Sequence, residues 1–328
     1  MIAPIRLDEI ERASEIISAE AIRTPAISSD QLDQLVGARV ACKAESLQRT
    51  GSFKFRGAFH RLSLIAAADR PRGVVAVSSG NHGAAISCSA QLLGMSATVF
   101  VPEDIPEAKR SLIASFGAEI RTFERSIEDR EAPARALTAA TGATFVPPFE
   151  DRRVMIGQGT AAFELHQQVA ERGGPLDALF VPMSGGGLMA GCGSATRVMA
   201  PNCRLVGVEP AAADDTARSF RAGSRVRIEQ PVTIADGLAI TTPGKQTFEL
   251  NHQMVNEVLT VSEDEIVNAM RVIRDTLDLR VEPSGAVALA AVLNAPARWT
   301  GMNIGVIISG GNVDQQVYEQ LIATQSGS

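Results

Sequence analysis

From Gly73 onward, short runs of β-branched residues alternate with helical stretches, and that alternation restricts the chain to an α/β architecture. Val74–Val77 reads as a strand, 84–93 as a helix closed by Gly94, and 98–101 as the next strand. The following helix carries Pro106 in its first turn and stops at Gly117, matching proline's fixed φ and glycine's free one. A strand over 120–123, a helix over about 130–140 and a strand over 144–146 complete a βαβαβ-like block. Beyond it, helices over 156–171, 188–199, 263–277 and 286–293 accompany strands over 178–183, 205–208 and 304–308. Strands alternating with helices imply parallel sheets covered on both faces. The segment 218–231 is the least regular and is expected to loop over the surface. A chain of 328 residues accommodates two lobes, a larger one from 1–72 and 151–328 and a smaller, mobile one from 73–150.

In such sheets ligands collect beyond the carboxyl ends of strands. Three strand ends here are rich in glycine and hydroxyl groups: Ser78-Ser79-Gly80-Asn81-His82-Gly83, Ser184-Gly185-Gly186-Gly187 and Ser309-Gly310-Gly311-Asn312. The triglycine turn follows a strand and opens a helix, where bare backbone N–H groups and the helix field suit an anion such as phosphate. It also satisfies G-x-G-x-x-A through Ala190, with Glu209 about 20 residues on, so a nicotinamide-dinucleotide oxidoreductase stays open as an alternative.

Upstream lies Thr50-Gly51-Ser52-Phe53-Lys54-Phe55-Arg56, which sets one lysine between two rings with no carboxylate nearer along the chain than Glu45. Burial against rings disfavours the ammonium form and frees the amine as nucleophile or base. A snorkelling surface lysine is the alternative reading of Lys54.

Composition removes several function classes. A formal charge of −6 leaves no basic footprint for nucleic acid or an anionic membrane surface. No apolar run reaches the roughly 18 residues that a membrane span needs, and the N-terminus lacks the pattern of a signal peptide. Cys42, Cys88, Cys192 and Cys203 form no Cys-x-x-Cys pair and read as buried free thiols of a cytoplasmic protein. His82 is the one histidine in a glycine-rich turn, which argues against a histidine metal centre, and His166 and His252 read as helix-face residues. No G-x-S-x-G elbow accompanies His82.

Taken together, Ser52-Phe53-Lys54, Ser78-Ser79-Gly80-Asn81-His82-Gly83, Ser184-Gly185-Gly186-Gly187 and Ser309-Gly310-Gly311-Asn312 resemble the fold-type II pyridoxal-phosphate enzymes, in the serine/threonine dehydratase and serine racemase branch. The resemblance covers essentially the whole chain, including Ile156-Gly157-Gln158-Gly159-Thr160 and Glu282-Pro283-Ser284. It implies a two-lobed, tryptophan synthase β-like fold of parallel-rich sheets flanked by helices. The implied activity is loss of water from a 3-hydroxy amino acid to give a 2-oxo acid and ammonia, with amino-acid racemisation as the alternative.

Carried over residue by residue, the resemblance makes Lys54 the covalent anchor of the cofactor and then the base at the substrate's α-carbon. An amine tuned from about 10.4 toward 7–8 suits that role. Phe53 would pack on the cofactor ring and Asn81 would hydrogen-bond its phenolic oxygen. The backbone of Gly185, Gly186, Gly187 and Leu188 would hold the phosphate, and Ser309 would face the ring nitrogen. Ser78, Ser79, Gly80, Asn81 and His82 would cradle the substrate carboxylate, with Ser79 able to act from the other face as in the racemases. Glu209, the carbonyl of Ala213 and Asp215 resemble a site for magnesium or calcium, metals that favour oxygen ligands.

Departures from the family pattern bear on the substrate's side chain. Gly237 is family-like, but Leu238-Ala239-Ile240 follows where serine racemase has polar residues, and Pro148-Phe149 replaces an expected asparagine. With Phe149 and Ile240 lining the pocket, threonine or a bulkier substrate such as phenylserine is expected over 3-hydroxyaspartate. Arg130, set in Glu128-Asp129-Arg130-Glu131, reads as a surface residue. With the Ser309 turn so close to Ser328, no appended regulatory domain is expected, and a homodimer is.

Overall fold

The computed structural model describes residues 2–124, 129–171 and 173–323. The chain runs α1 (Leu7–Ile17), β1 (Ala26–Ile27), α2 (Asp30–Val36), β2 (Arg39–Ala44), α3 (Lys54–Ser63), β3 (Val74–Val77), α4 (Asn81–Leu92), β4 (Ala97–Pro102), α5 (Glu107–Ala114) and β5 (Glu119–Phe123). It continues α6 (Ala132–Thr141), β6 (Thr144–Phe145), α7 (Arg152–Ala170), β7 (Ala178–Pro182), α8 (Gly187–Met199), β8 (Arg204–Pro210) and α9 (Asp215–Ala222). The last elements are α10 (Lys245–Met254), β9 (Glu257–Val261), α11 (Glu263–Leu277), α12 (Pro283–Asn294), β10 (Asn303–Ile308) and α13 (Gln315–Ala323).

The strands form two sheets, ordered β1-β2-β10-β7-β8-β9 and β5-β4-β3-β6. Every pairing is parallel except that of β1 with β2. Side-chain alternation explains why the central strands read as unbroken apolar runs. Ala178 and Phe180 of β7 join the core shared with α11 and α12, while Leu179 and Val181 join that shared with α7 and α8. The same rule holds in the smaller sheet, where Val74 and Ala76 pack under α4 and Val75 meets Phe100, Phe123 and Ala134 on the other face. Helix α3 packs against both α4 and α7, which sets its first residue, Lys54, between the two sheets.

The strand–helix alternation is as expected, with boundaries shifted. α4 begins at Asn81, because Asn81-His82-Gly83 already form its first turn. α12 begins at Pro283, proline being preorganised for that position. α7 begins at Arg152, capped by the Asp151 carboxylate, which accepts from the N–H groups of Arg153 and Val154.

The expectation of an irregular loop from residue 218 is corrected, since α9 continues to Ala222 and stops at Gly223 with φ +66°. That helix buries Ser219, whose hydroxyl donates to the Asp215 carbonyl and accepts from the Val226 N–H, so no apolar stripe announces it. Arg130 is exposed and donates to Gln230 Oε1 at 3.3 Å, while Glu128 lies outside the described residues. The four cysteines are buried and unpaired. Among the described residues no helix is long and apolar enough to cross a membrane.

Candidate active site

A cavity of about 260 Å³ opens beyond the carboxyl ends of β3, β7 and β10, and Lys54 and all three glycine-rich turns contribute to its wall. The turn carrying Lys54 is stitched to the turn after β10. Ser52 bridges Gly310, the Phe53 N–H donates to the Ser309 carbonyl at 3.1 Å, and the Gly311 N–H donates to the Gly51 carbonyl at 2.9 Å. Gly51 is required there: its φ is +75° and an added Cβ would fall 2.2 Å from Asn312 Oδ1.

Lys54 Nζ donates to the Pro148 carbonyl at 3.1 Å and lies 5.1 Å from the centroid of the Phe53 ring. Burial lowers its pKa to about 8, with the Glu282 carboxylate pulling the other way. That carboxyl group belongs to a residue far along the chain, so folding supplies Lys54 with a titratable neighbour that its local sequence lacks.

The triglycine turn is oriented from behind. Thr247 Oγ1 donates to the Gly185 carbonyl, and Asn251 Nδ2 donates to the Gly186 carbonyl at 3.0 Å. Because a peptide is planar and trans, fixing those carbonyls toward α10 turns the Gly186 and Gly187 N–H groups the opposite way. The first-turn N–H groups of α8 likewise have no acceptor within the helix. Glu150 anchors α10 itself, accepting from the N–H groups of Gln246 at 3.1 Å and Thr247 at 3.3 Å. The Phe149 ring lies so close that a Cβ on Gly185 would come within 2.2 Å of it. A glycine cradle with inward N–H groups, next to a half-buried amine of lowered pKa, fits pyridoxal phosphate: donors for the phosphate and Lys54 for the aldehyde.

The turn before α4 supplies a second set of donors. Ser78 Oγ accepts from the Gly80 N–H at 3.2 Å, and Ser79 and Gly80 line the cavity. Asn81 is held on both sides: its Nδ2 donates to Glu282 Oε1 at 2.7 Å, and its Oδ1 accepts from Asn312 Nδ2 at 2.8 Å. His82 Nε2 lies 2.9 Å from the Val146 carbonyl and therefore carries the proton, while Nδ1 is buried without a partner. Burial, then the nearby Lys54 charge, lowers the His82 pKa to about 3, so the ring is neutral. Ser309 Oγ donates to the Ser284 carbonyl at 3.3 Å, and the Gly237 N–H donates to Ser284 Oγ at 3.0 Å. Leu188, Phe149 and Ile240 complete the wall.

Several lining or supporting residues escape a sequence reading. Thr247, Asn251 and Glu150 act through backbone atoms of distant turns, and nothing in their local sequence announces it. Glu282 and Asn312 stand in motifs of the resemblance, but their grip on Asn81 exists only in three dimensions. Lys109 of α5 and Asp236 face one another across the cavity mouth as an ion pair.

Glu209, Ala213 and Asp215 do not line this cavity. Glu209 is fully buried and accepts from the N–H groups of Thr216 at 3.1 Å and Ala217 at 2.7 Å. Both oxygens of the equally buried Asp215 lack a partner. Burial pushes Glu209 up to about 8 and Asp215 to about 7. Two desolvated carboxylates, one of them unpartnered, are oxygen groups of the kind that hard divalent cations take as ligands. Among the described residues no three histidine, cysteine, aspartate or glutamate side chains cluster as a metal site. Glu209, committed to the first turn of α9 and absent from the cavity wall, is not placed as a ribose ligand.

The family model described as "Pyridoxal-phosphate dependent enzyme" matches residues 17–310. An L-threo-3-hydroxyaspartate ammonia-lyase from a Pseudomonas species is 45% identical over 96% of this chain and 97% of its own length. A serine racemase from Schizosaccharomyces pombe is 41% identical over 96% of this chain and 97% of its own. Among solved structures, a threonine deaminase from T.th. superposes with a TM-score of 0.89 at 40% identity, covering 94% of this chain and 99% of that one.

Proposed function

The chain belongs to the pyridoxal-phosphate-dependent enzymes, and from that membership we propose that it removes water from a 3-hydroxy amino acid, releasing a 2-oxo acid and ammonia. The observation that carries the reading is the Lys54 amine, half-buried over the Phe53 ring, lowered to about 8 and sharing one cavity with the triglycine turn and the turn before α4. When bound, pyridoxal phosphate supplies the electron sink that makes the substrate's α-proton acidic.

The chain's own residues do the rest. Lys54 would hold the cofactor and would serve as the base that takes the substrate's α-proton. Gly185, Gly186, Gly187 and Leu188 would donate backbone N–H groups to the phosphate, and Phe53 would pack on the ring. Asn81, its amide locked by Glu282 and Asn312, presents its free N–H to the phenolic oxygen. Ser309, a neutral hydroxyl in the cavity wall, would face the ring nitrogen and place no negative charge there to hold a ring proton. The substrate carboxylate sits on Ser78, Ser79, Gly80, Asn81 and neutral His82 at the positive end of α4. Phe149, Gly237 and Ile240 line the side-chain end. The hydroxyl takes up the proton that Lys54 removed and leaves as water, and the released enamine tautomerises and hydrolyses to 2-oxo acid and ammonia.

Lys54→Ala is expected to abolish both the bound cofactor's absorbance and 2-oxo acid release; retained turnover would overturn the role of Lys54. Racemisation is a second reading, supported by Ser79 in the cavity wall and by the 41% identity to a serine racemase, and a chiral assay separates D-product from ammonia.

Three further parts belong to this proposal. Residues 73–150 move as a small lobe against 1–72 and 151–328, a reading supported by a second sheet that falls wholly within 74–145, and closure excludes water from the site. Glu209, Asp215 and the Ala213 carbonyl hold magnesium or calcium, supported by the orphaned oxygens of Asp215. The protein works in the cytoplasm, where its four free thiols stay reduced, as a homodimer that light scattering would test.

A further inference from the structure

We infer that Lys109 reads the substrate's side chain by exchanging its partner Asp236 for a distal carboxylate, so that 3-hydroxyaspartate is preferred over serine, threonine and phenylserine. The inference rests on the dehydratase reading above and concerns the same cavity. Lys109 stands on α5, beside the smaller sheet, and Asp236 stands in a turn beside the larger one. Their ion pair therefore joins the two sides of the cavity at a part of its wall that meets solvent.

Lys109 and Lys54 are the cationic side chains of the cavity wall among the described residues. Lys54 is committed to the cofactor and the α-proton, which leaves Lys109 to meet a second negative charge. Around it the wall is apolar, formed by Leu112, Phe149, Leu238 and Ile240. The nearby Gly237 N–H is already used by Ser284 Oγ at 3.0 Å.

Exchange is easy because the resident pair is wet. The side chains of Lys109 and Asp236 are 35% and 55% exposed, so solvent screens their attraction. Replacing one carboxylate by another keeps Lys109 paired throughout, and its four-carbon stem lets the ammonium follow the incoming group. A methyl or phenyl side chain cannot make this exchange. Phenylserine would instead have to fit its ring beside an intact ion pair. The buried Glu282, which feels both Lys109 and Asp236, is raised to about 8 and so adds little negative charge at neutral pH to repel a dianionic substrate.

The test measures kcat/KM for L-threo-3-hydroxyaspartate and for serine on the holoenzyme, and on Lys109→Met, Lys109→Arg and Asp236→Asn. In Lys109→Met the 3-hydroxyaspartate-to-serine ratio is expected to fall about tenfold, mostly through KM, the low end of what one hydrogen bond to a charged group is worth. Lys109→Arg should keep most of the ratio, and Asp236→Asn should raise it by removing the competing carboxylate. A ratio in Lys109→Met within about threefold of wild type, or a wild-type enzyme that prefers phenylserine or threonine, overturns the inference.

Succinate binding, followed by calorimetry on the same proteins and weakened by salt and by Lys109→Met, gives a readout independent of turnover. It also covers the case in which the methionine variant does not fold, because wild type and Lys109→Arg should both bind succinate far better than propionate. Equal affinity for the two acids overturns the inference. Absence of 2-oxo acid from every hydroxy amino acid refutes the dehydratase reading instead, while the succinate result still reports on Lys109.

Discussion

Arg56→Met should be among the most damaging single changes outside the cavity. Arg56 lies two residues beyond Lys54 and is fully buried. Its Nε donates to Glu45 at 2.7 Å and its Nη1 to Glu164 at 2.7 Å and Thr160 Oγ1 at 3.2 Å. Its Nη2 reaches the second oxygens of Glu45 and Glu164 at 2.9 and 2.8 Å. Lys43, also buried, adds bonds of 2.6 Å to Glu164 and to the Thr24 carbonyl. Two cations thus balance two carboxylates in a space with no water to replace either. Methionine would leave a net negative charge there, with Glu45 stripped of its guanidinium.

Breaking a buried pair from one side costs about 3–5 kcal/mol, against a total stability of roughly 5–15 kcal/mol for a domain. Urea melts of wild type and variant at equal slope measure the loss directly. The double variant Arg56→Met/Glu45→Gln restores neutrality and leaves the Lys43–Glu164 pair intact, so it should recover about 1–2 kcal/mol. A single variant losing less than about 1 kcal/mol, or a double variant no better than the single, would refute the charge-balance reasoning. Because Arg56 ties the first turn of α3 to β2 and α7, any folded Arg56→Met should also release the cofactor more readily.

Three further outcomes follow from the geometry. Gly186→Ala forces a side chain into a residue at φ +87°, 2.7 Å from Asn251 Nδ2, so cofactor affinity measured by absorbance titration should drop tenfold or more, roughly the 1–2 kcal/mol of left-handed strain alone. His82 is held at about 3 against an ordinary 6.5, so the unfolded chain binds a proton that the native one refuses across that window. Stability is therefore lost as pH falls from 6.5 toward 3, by roughly 4–5 kcal/mol for this group. Glu282, raised to about 8, acts in the opposite sense over 4.5 to 8, so the informative quantity is the melting difference between wild type and His82→Asn, which should narrow on acidification. A pH-independent difference would count against it. EDTA should lower the melting temperature if Glu209 and Asp215 hold a cation, and Asp215→Asn should remove that response; a melt indifferent to EDTA argues against the site.

Much of this architecture is written locally. Parallel strands buried on both faces must be apolar along their whole length, so β3, β7 and β10 are visible in the sequence to within a residue or two. The three glycine-rich turns are visible for a related reason, since glycines following a strand and opening a helix are costly unless backbone must approach a ligand. Lys54 stands out by its neighbouring rings. Helix α9 does not, because it is short and its buried residues Asp215, Thr216, Ala217 and Ser219 are mostly polar.

The chain's own order of residues thus decides the element types, the turns that hold the anion and the identity of the reactive amine, because each depends on neighbours within a few positions. Only the folded chain decides how that amine is tuned and what surrounds it. Glu282 reaches Lys54, Thr247 and Asn251 aim the triglycine N–H groups, Asn312 and Glu282 orient Asn81, and Lys109 meets Asp236 across the mouth. Electrostatic and hydrogen-bond partners act through space over a few ångströms, and sequence separations of up to hundreds of residues carry no trace of such proximity.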